Sequence, residues 1–167
     1  MGKQKRFLQL LFWAYVLLIF LVIILKFNGS FVDLWHRWQT AQPFHWYNLQ
    51  LGYTVLRQIQ HISSSWARLN LLANTLAFIP IGVLLPLAYP TFRRFWKVFL
   101  AGFVMVFLME GVQLVTGLGT FDVDDILLNV IGISTGYGLM SLASFLWNRH
   151  RPQKNHKIVY RANQSSR

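Results

Sequence analysis

Six polar side chains with the potential for chemistry lie within or beside the long apolar segments of this sequence. They are Asn74 in one segment, Glu110 and Gln113 in the next, and Asp122, Asp125 and Asn129 at the start of the last. Polar groups at membrane depth are costly and are functional candidates by default. Side chains three or four residues apart share one face of a helix, so each set is expected to present its groups together. The pattern predicts a polar site to which three helices contribute.

Three carboxylates in this set, Glu110, Asp122 and Asp125, are the candidate catalytic and metal-binding residues. One carboxylate can act as a general base while a second carboxylate or a bound cation polarises a substrate. An oxygen-rich site suits a hard divalent cation such as Mg²⁺ or Ca²⁺ better than zinc. The sequence has no cysteine, which excludes thiol nucleophiles and zinc–thiolate sites. It also lacks the H-E-x-x-H and G-x-S-x-G motifs, so ligand binding without catalysis stays open beside an enzymatic role.

Several of these polar residues also fit ordinary structural roles. Asp122 could cap a helix N-terminus, and an exposed Asp124 would be favoured in the first turn by the helix dipole. Asn70 could cap the helix that contains Asn74, and Asn74 and Asn129 could form hydrogen bonds between helices. For these residues both roles stay open.

Glu110 is the hardest of the set to explain by structure alone. A carboxylate at membrane depth needs a proton, a charged partner or a cation. Arg37, Arg57 and Arg68, from the segment before Asn70, are the candidate partners.

The apolar segments that position these residues are long enough to cross a membrane. Hydrophobic residues make up 54% of the 167 residues and charged residues only 13%, which is too few for the surface of a soluble domain. A spanning helix needs about 20 apolar residues, and four segments qualify, at about 7–25, 70–89, 95–116 and 125–147. Pro80 predicts a kink in the second. The sequence predicts an all-α membrane protein, a bundle of about four transmembrane helices.

Basic residues predict the orientation of the bundle. They cluster at the N-terminus, in the link between the second and third segments and in the tail, whereas the link between the third and fourth segments has none. Because cytoplasmic segments carry the excess of Lys and Arg, both termini are expected in the cytoplasm. The chain then divides into a transmembrane domain at 1–148, with an extracytoplasmic loop at 26–69, and a basic cytoplasmic tail at 149–167. The net charge of +11 suits membrane lipids as partners, and nucleic acid is not expected.

This orientation brings the polar residues of three helices to a similar depth near the outer surface. Asn74 and Asn129 are expected about one turn below that surface, and Glu110 roughly 10 Å below it. One face of the fourth helix carries, at i, i+4, i+7 and i+11, Asp125, Asn129, Gly132 and Gly136. The two glycines permit close helix packing, so this face is expected to point into the bundle.

The loop at 26–69 is rich in aromatic residues, among them Trp35, Trp38, Trp46 and Trp66. Aromatic side chains at this density suit the headgroup level of a membrane. At 55–66 the apolar residues recur unevenly, so an amphipathic surface helix and an irregular cap over the bundle are both open.

The polar residues lie in motifs that resemble the VanZ family, which is named for a teicoplanin-resistance membrane protein. The matching elements are N-T-L-A-F-I-P-I-G at 74–82, E-G-V-Q at 110–113 and F-D-V-D-D-I-L-L-N-V-I-G at 121–132, and Gly136 continues the match. Pro43-Phe44 resembles, more loosely, a P-F element of the outer loop of that family. The motifs are ordered and spaced correctly over residues 70–140, and the rest of the chain is similar by topology only.

The resemblance implies a set of ligand-binding residues, namely Asn74, Glu110, Gln113, Asp122, Asp125 and Asn129. It also implies a place in the bacterial plasma membrane and a link to glycopeptide tolerance, without a settled reaction. Many members carry a basic residue just before the F-D-x-D-D element, where this chain has Gly119 and Thr120. That difference argues against an anionic group being held at this point.

Three functions compete on this basis. The first is binding of an outer-leaflet lipid, a lipid-linked cell-wall precursor or a lipoglycopeptide, with a contribution to teicoplanin-type tolerance. The second is an enzyme that modifies an envelope lipid or glycan carrier with a carboxylate and cation site, although the sequence has no activated nucleophile. The third is a structural subunit whose polar network fixes helix packing. A homo-oligomer is left open in each case.

Overall fold

The described part of the chain, residues 2–25 and 31–150 of a computed structural model, folds into seven α-helices, one short 3-10 helix (Pro90–Phe92) and one pair of short strands. The helices are α1 (Gly2–Leu25), α2 (Phe31–Gln39), α3 (Tyr53–Gln60), α4 (Ser65–Leu76), α5 (Ile79–Ala88), α6 (Phe95–Thr116) and α7 (Val123–His150). The strands are β1 (Tyr47–Asn48) and β2 (Phe121–Asp122). Of the predicted loop and tail, residues 26–30 and 151–167 lie outside the described residues.

Four helical spans are long and apolar enough to cross a membrane: Gly2–Ile23, Ala67–Ala88, Phe95–Thr116 and Val123–His150. The shortest have 22 residues, which at about 1.5 Å per residue matches a hydrocarbon core of about 30 Å. Large apolar side chains such as Leu10, Leu108 and Phe145 are more than half exposed on the bundle, as expected for surfaces that face lipid. The predicted all-α membrane bundle of about four transmembrane helices is confirmed. The side of the membrane on which the termini lie stays a prediction.

The second span consists of two helices with a break between them. α4 ends at Leu76 and α5 begins at Ile79, with Pro80 in the first turn of α5, where its missing N–H costs least. The hydroxyl of Tyr15 in α1 donates to the carbonyl oxygen of Ala77, at the break, over 2.9 Å. The kink predicted near Pro80 is therefore confirmed, and α1 satisfies a carbonyl that lies at it.

α4 begins earlier in the chain than the sequence suggested. Ser64 precedes it in an extended conformation and accepts a hydrogen bond from Ala67 N at 3.2 Å, as an N-cap does. Asn70 lies inside α4, so its suggested role as the cap of this helix is wrong.

Glycines bring α7 into backbone contact with α4 and α5. A Cβ on Gly132 would lie 2.1 Å from a carbonyl oxygen of α4, and one on Gly136 would lie 2.0 Å from Ile79 O. A Cβ on Gly82 of α5 would lie 1.9 Å from Ile133 O of α7. No side chain fits at such distances, so the predicted close packing at Gly132 and Gly136 is confirmed. This face of α7 points into the bundle, as predicted.

The loop before α4 contains α2, α3 and β1. β1 pairs in parallel with β2, the short strand between α6 and α7, so that Asn48 lies opposite Asp122. One of the two alternatives for residues 55–66 was a surface helix, and α3 is a helix in this region. It begins at Tyr53 and ends at Gln60, earlier than the predicted range at both ends. The strand pair was not predicted.

Candidate functional site

Four of the five acidic residues of the chain form a group, the carboxylate cluster, where α7 begins. They are Glu110 of α6, Asp122 of β2, and Asp124 and Asp125 of the first turn of α7. Glu110, Asp122 and Asp124 are buried, and Asp125 is half-buried. Burying a carboxylate is costly unless other groups satisfy it. The contacts of each one therefore show what the cluster is built to do.

The loop is fixed over this cluster by backbone contacts with the link between α6 and α7. Phe121 N donates to Trp46 O at 3.2 Å beside the β1–β2 pair. Gly117 follows α6 with φ 67°, and a Cβ there would lie 2.6 Å from backbone atoms of the loop. Only glycine combines that backbone conformation with so close an approach. These contacts and the strand pair hold Asn48 beside Asp122.

The Pro43-Phe44 element lies in the same part of the loop. Phe44 N donates to Leu114 O, near the end of α6, over 2.8 Å. Phe44 has φ 59°, a left-handed conformation that is uncommon for a bulky residue and is held here by this contact. The element therefore helps to attach the loop to α6.

Asp122 joins the loop to α7. Its Oδ1 accepts a hydrogen bond from Asp124 N at 2.9 Å, so the predicted N-capping role is confirmed. Its Oδ2 accepts a hydrogen bond from the Thr54 hydroxyl at 2.5 Å. The Asn48 amide lies 3.3 and 3.4 Å from the two carboxylate oxygens. One side chain thus caps a spanning helix and binds two loop residues.

Asp124 caps a helix other than its own. It is 0% exposed and accepts hydrogen bonds from Gly52 N at 2.6 Å, Thr54 N at 2.8 Å and Val55 N at 3.2 Å, at the start of α3. These donors have no partner within α3, and the positive end of the α3 dipole faces the carboxylate. The expectation that Asp124 is exposed is wrong, because the loop folds over α7 and covers it.

Glu110 and Asn74 connect the cluster to α6 and α4. Glu110 is 1% exposed, and its Oε2 accepts a hydrogen bond from Asp122 N at 3.2 Å. Asn74 Nδ2 donates to Asp125 Oδ1 at 2.5 Å. The structure therefore brings Glu110 to Asp122 and Asn74 to Asp125, so that three helices meet at the first turn of α7.

Three arginines were suggested as partners of Glu110, and the structure describes the side chains of two of them, Arg57 and Arg68. The Arg68 guanidinium donates to Ile62 O at 3.1 Å and Ser63 O at 2.8 Å, where it braces the turn before α4. Arg57 is exposed on α3. The side chain of Arg37 lies outside the described residues.

Asn129 lies one helical turn after Asp125, on the face of α7 that points into the bundle. It is 2% exposed, and its Oδ1 has no hydrogen-bond partner among the residues that the structure describes. Gln58 of α3 is 1% exposed, and both polar atoms of its side chain are likewise unpaired in the described chain. A buried polar atom without a partner costs about 1–3 kcal/mol. Gln58 and Asn129 are therefore the buried polar side chains of the described chain whose hydrogen bonding the protein itself leaves incomplete.

Gln113 contacts the link between α6 and α7. It is 3% exposed, and a Cβ on Gly119 would lie 2.2 Å from Gln113 Oε1. The absence of a side chain at position 119 therefore lets Gln113 pack against the link. Its predicted ligand-binding role stays a prediction.

The divalent cation predicted at Glu110, Asp122 and Asp125 also stays a prediction. Within residues 2–25 and 31–150, no group of three or more His, Asp or Glu side chains is arranged to hold a metal ion. Asp122 instead accepts hydrogen bonds from the loop and from the backbone of α7.

Three residues at the site were missed by the sequence reasoning, namely Asn48, Thr54 and Gln58. Thr54 and Gln58 are four residues apart on one face of α3, whereas the apolar Leu56 and Ile59 are exposed. A polar pair at helical spacing was the available signal. It was weak, because a short amphipathic helix normally turns its polar face to water.

The chain matches a family of known proteins. A family model described as VanZ/LLP1 matches residues 12–144, a range that contains all six predicted site residues and the whole loop. No curated protein and no solved structure matches the chain.

Proposed function

Because the chain belongs to the VanZ/LLP1 family, we propose that it is a bacterial envelope protein that binds the polar head of a lipid-type ligand at the carboxylate cluster. The candidate ligands share a polar head and an apolar tail. They are an outer-leaflet lipid, a lipid-linked cell-wall precursor and a lipoglycopeptide. Binding would contribute to tolerance of teicoplanin-type glycopeptides.

The observation that carries this proposal is the unpaired, buried Oδ1 of Asn129. It lies one turn from Asp125, whose carboxylate is already drawn towards α4 by Asn74. A structural hydrogen bond between helices would have given Asn129 a partner, as it gave Asn74 one. A buried acceptor without a donor lowers the stability of the fold. Its presence at this position is better explained by a ligand that donates a hydrogen bond to it.

The chemistry of the site favours a head that donates hydrogen bonds. Asn129 Oδ1 is an acceptor, and the carboxylates of the cluster are acceptors when ionised. Hydroxyl, amine and amide N–H groups of a sugar, an ammonium lipid or a peptide match such a site. A bare phosphate does not, because Gly119 and Thr120 stand where many family members carry a basic residue.

Exposed apolar side chains of α3, next to the cluster, offer a surface for the tail of such a ligand, and the loop carries further exposed tryptophans. Trp35, Trp38 and Trp46 are each more than half exposed, and so are Leu56 and Ile59 of α3. Aromatic rings of this kind favour the boundary between headgroups and acyl chains. A ligand with both parts would contact the cluster and this surface together.

The test is Asn129→Leu, which removes the acceptor and keeps the approximate size of the side chain. Since Oδ1 has no partner within residues 2–25 and 31–150, the variant should fold and melt at or above the wild-type temperature in detergent. It should lose the ligand that co-purifies with wild-type protein, as read by native mass spectrometry. It should also lose teicoplanin tolerance in a host in which the wild type confers it, at equal protein levels.

The matched control is Thr135→Val on the same helix, where the hydroxyl is exposed and bonds only to Ile131 O of its own helix. Thr135→Val should leave the bound ligand and the tolerance unchanged. Wild-type ligand content and tolerance in Asn129→Leu would refute the proposal. A large fall in its melting temperature would instead support the purely structural role.

An enzyme that modifies an envelope lipid or glycan carrier is the second candidate, and one contact favours it. Glu110 is buried, and its Oε2 accepts a hydrogen bond from the backbone N of Asp122, a second buried acidic residue, so a candidate general base lies within the cluster. Purified protein incubated with a lipid-linked precursor, with and without Mg²⁺, should then form a product that Glu110→Gln does not. Binding without any product supports the first candidate.

A further inference from the structure

A groove lies at the opposite end of the bundle from the carboxylate cluster. It has a volume of about 740 Å³ and runs between α5 and the C-terminal half of α7. Val83 and Leu87 form an apolar wall, and Arg93, Ser141 and Ser144 supply polar groups. A volume of this size is typical of sites for small organic ligands.

The charge at this end of the bundle is entirely basic. All five acidic residues of the chain lie between positions 33 and 125, in the loop and in the cluster. The end that carries the groove has basic side chains from four segments, namely Lys3, Lys5 and Arg6 of α1, Arg93 and Arg94 between α5 and α6, Lys97 of α6, and Arg149 of α7. An anion that approaches here meets no acidic side chain.

The backbone at Arg93 is tied to the helix that forms the other wall of the groove. The Tyr137 hydroxyl of α7 donates to Arg93 O over 2.6 Å. Arg93 is exposed and lines the groove, and Ser141 and Ser144 line it from α7. A guanidinium with two hydroxyls above an apolar wall matches the phosphate, the glycerol and the first acyl carbons of a phospholipid.

We infer that this groove binds an anionic phospholipid, with the phosphate at Arg93 and the acyl chains along Val83 and Leu87. The inference is independent of the proposed function, which concerns the other end of the molecule. Basic sites between spanning helices on the cytoplasmic side bind anionic headgroups in this way. The predicted orientation places the groove on that side.

The test uses the full-length protein, purified in detergent and titrated with phosphatidylglycerol or phosphatidylcholine, with bound lipids counted by native mass spectrometry. Arg93→Gln should weaken the first phosphatidylglycerol site about fivefold, whereas Arg94→Gln, which removes the same charge from an exposed residue outside the groove lining, should change it less than about twofold. Ser144→Trp should fill the groove and abolish the site. Phosphatidylcholine should bind weakly to every form.

Because Ser144 is exposed, Ser144→Trp keeps the test valid even where Arg93→Gln does not fold. Equal losses in Arg93→Gln and Arg94→Gln would show general attraction to a basic surface and overturn the inference. Equal binding of the two lipids, or unchanged binding in Ser144→Trp, would overturn it as well. A dimer that Ser144→Trp dissociates would mean that a second copy of the chain occupies the groove. Asn129→Leu should bind phosphatidylglycerol normally, which separates this result from that for the cluster.

Discussion

At the scale of single residues, two helix N-termini supply hydrogen bonds to the acidic residues at the start of α7. Asp122 caps α7 itself, and Asp124 caps α3, a helix of the loop. Each helix N-terminus carries about half a positive charge, so the two ends stabilise carboxylates that are buried beneath the loop. α3 has 8 residues and is too short to be stable by itself. The hydrogen bonds from its N-terminus to Asp124 therefore stabilise α3 and hold the loop against α7.

Asp124→Ala should lower the thermal stability of the purified protein in detergent. Three backbone N–H groups at the start of α3 would lose their acceptor, at a cost on the order of 1–3 kcal/mol. Asp124→Asn should cost less, because its amide oxygen still accepts. Ser64→Ala is the matched control: it removes the single cap bond of α4, which is worth about 1 kcal/mol. A wild-type melting temperature for Asp124→Ala would show that this carboxylate does not hold the loop.

The position of Asp124 shows which part of the site the sequence could predict. Asp125 and Asn129 were placed correctly on the inner face of α7, because helical spacing alone relates them to Gly132 and Gly136. The burial of Asp124 depends on residues 52–55, far away in the chain, folding back over α7. No local pattern relates such distant segments, so Asp124 was expected to be exposed.

At the scale of elements, glycines set the distance of α7 from its neighbours. A Cβ on Gly136 would lie 2.0 Å from Ile79 O, whereas one on Gly138 of the same helix meets nothing within 4 Å. Gly136 and Gly138 therefore lie in the same helix but differ in how closely a neighbouring helix approaches them. Replacing each by alanine separates the effect of lost helix packing from the effect of alanine's higher helix propensity.

Gly136→Ala should destabilise the protein, because the methyl group forces α5 away from α7 next to the break at Pro80. Gly138→Ala should be neutral or stabilising by up to about 1 kcal/mol, since alanine favours a helix more than glycine does. Thermal unfolding of both variants in one detergent measures the difference. Equal melting temperatures would contradict the close packing of α5 and α7.

The spans could be predicted because a membrane fixes the length and the apolarity of a helix that crosses it. The break between α4 and α5 followed from Pro80, which lacks a backbone N–H. The β1–β2 pair could not be predicted, because two residues on each strand give no alternating pattern. This strand pair brings Asn48 to Asp122. Because the pair was not predicted, the place of Asn48 at the site was not predicted either.

At the scale of the whole molecule, the carboxylates of the cluster are confined to one end of the bundle, whereas basic residues occur at both ends. The carboxylate cluster lies at one end, and the groove beside Arg93 lies at the other, where the described side chains that carry charge are basic. The excess of basic residues in cytoplasmic segments predicts that the basic end faces inward. In that predicted orientation the cluster lies at the outer side of the membrane, as the proposed function requires.

This orientation can be tested without background labelling, because the chain has no cysteine of its own. Thr120→Cys, at an exposed position in the link between α6 and α7, should react with a membrane-impermeant maleimide on intact cells. Lys3→Cys and Arg149→Cys, both exposed at the basic end, should react only after the cells are permeabilised. The opposite result would place the cluster in the cytoplasm, out of reach of a glycopeptide, and the proposed function would fall. The phospholipid groove would then face the outer leaflet, and its affinity for anionic lipid in detergent would be unchanged.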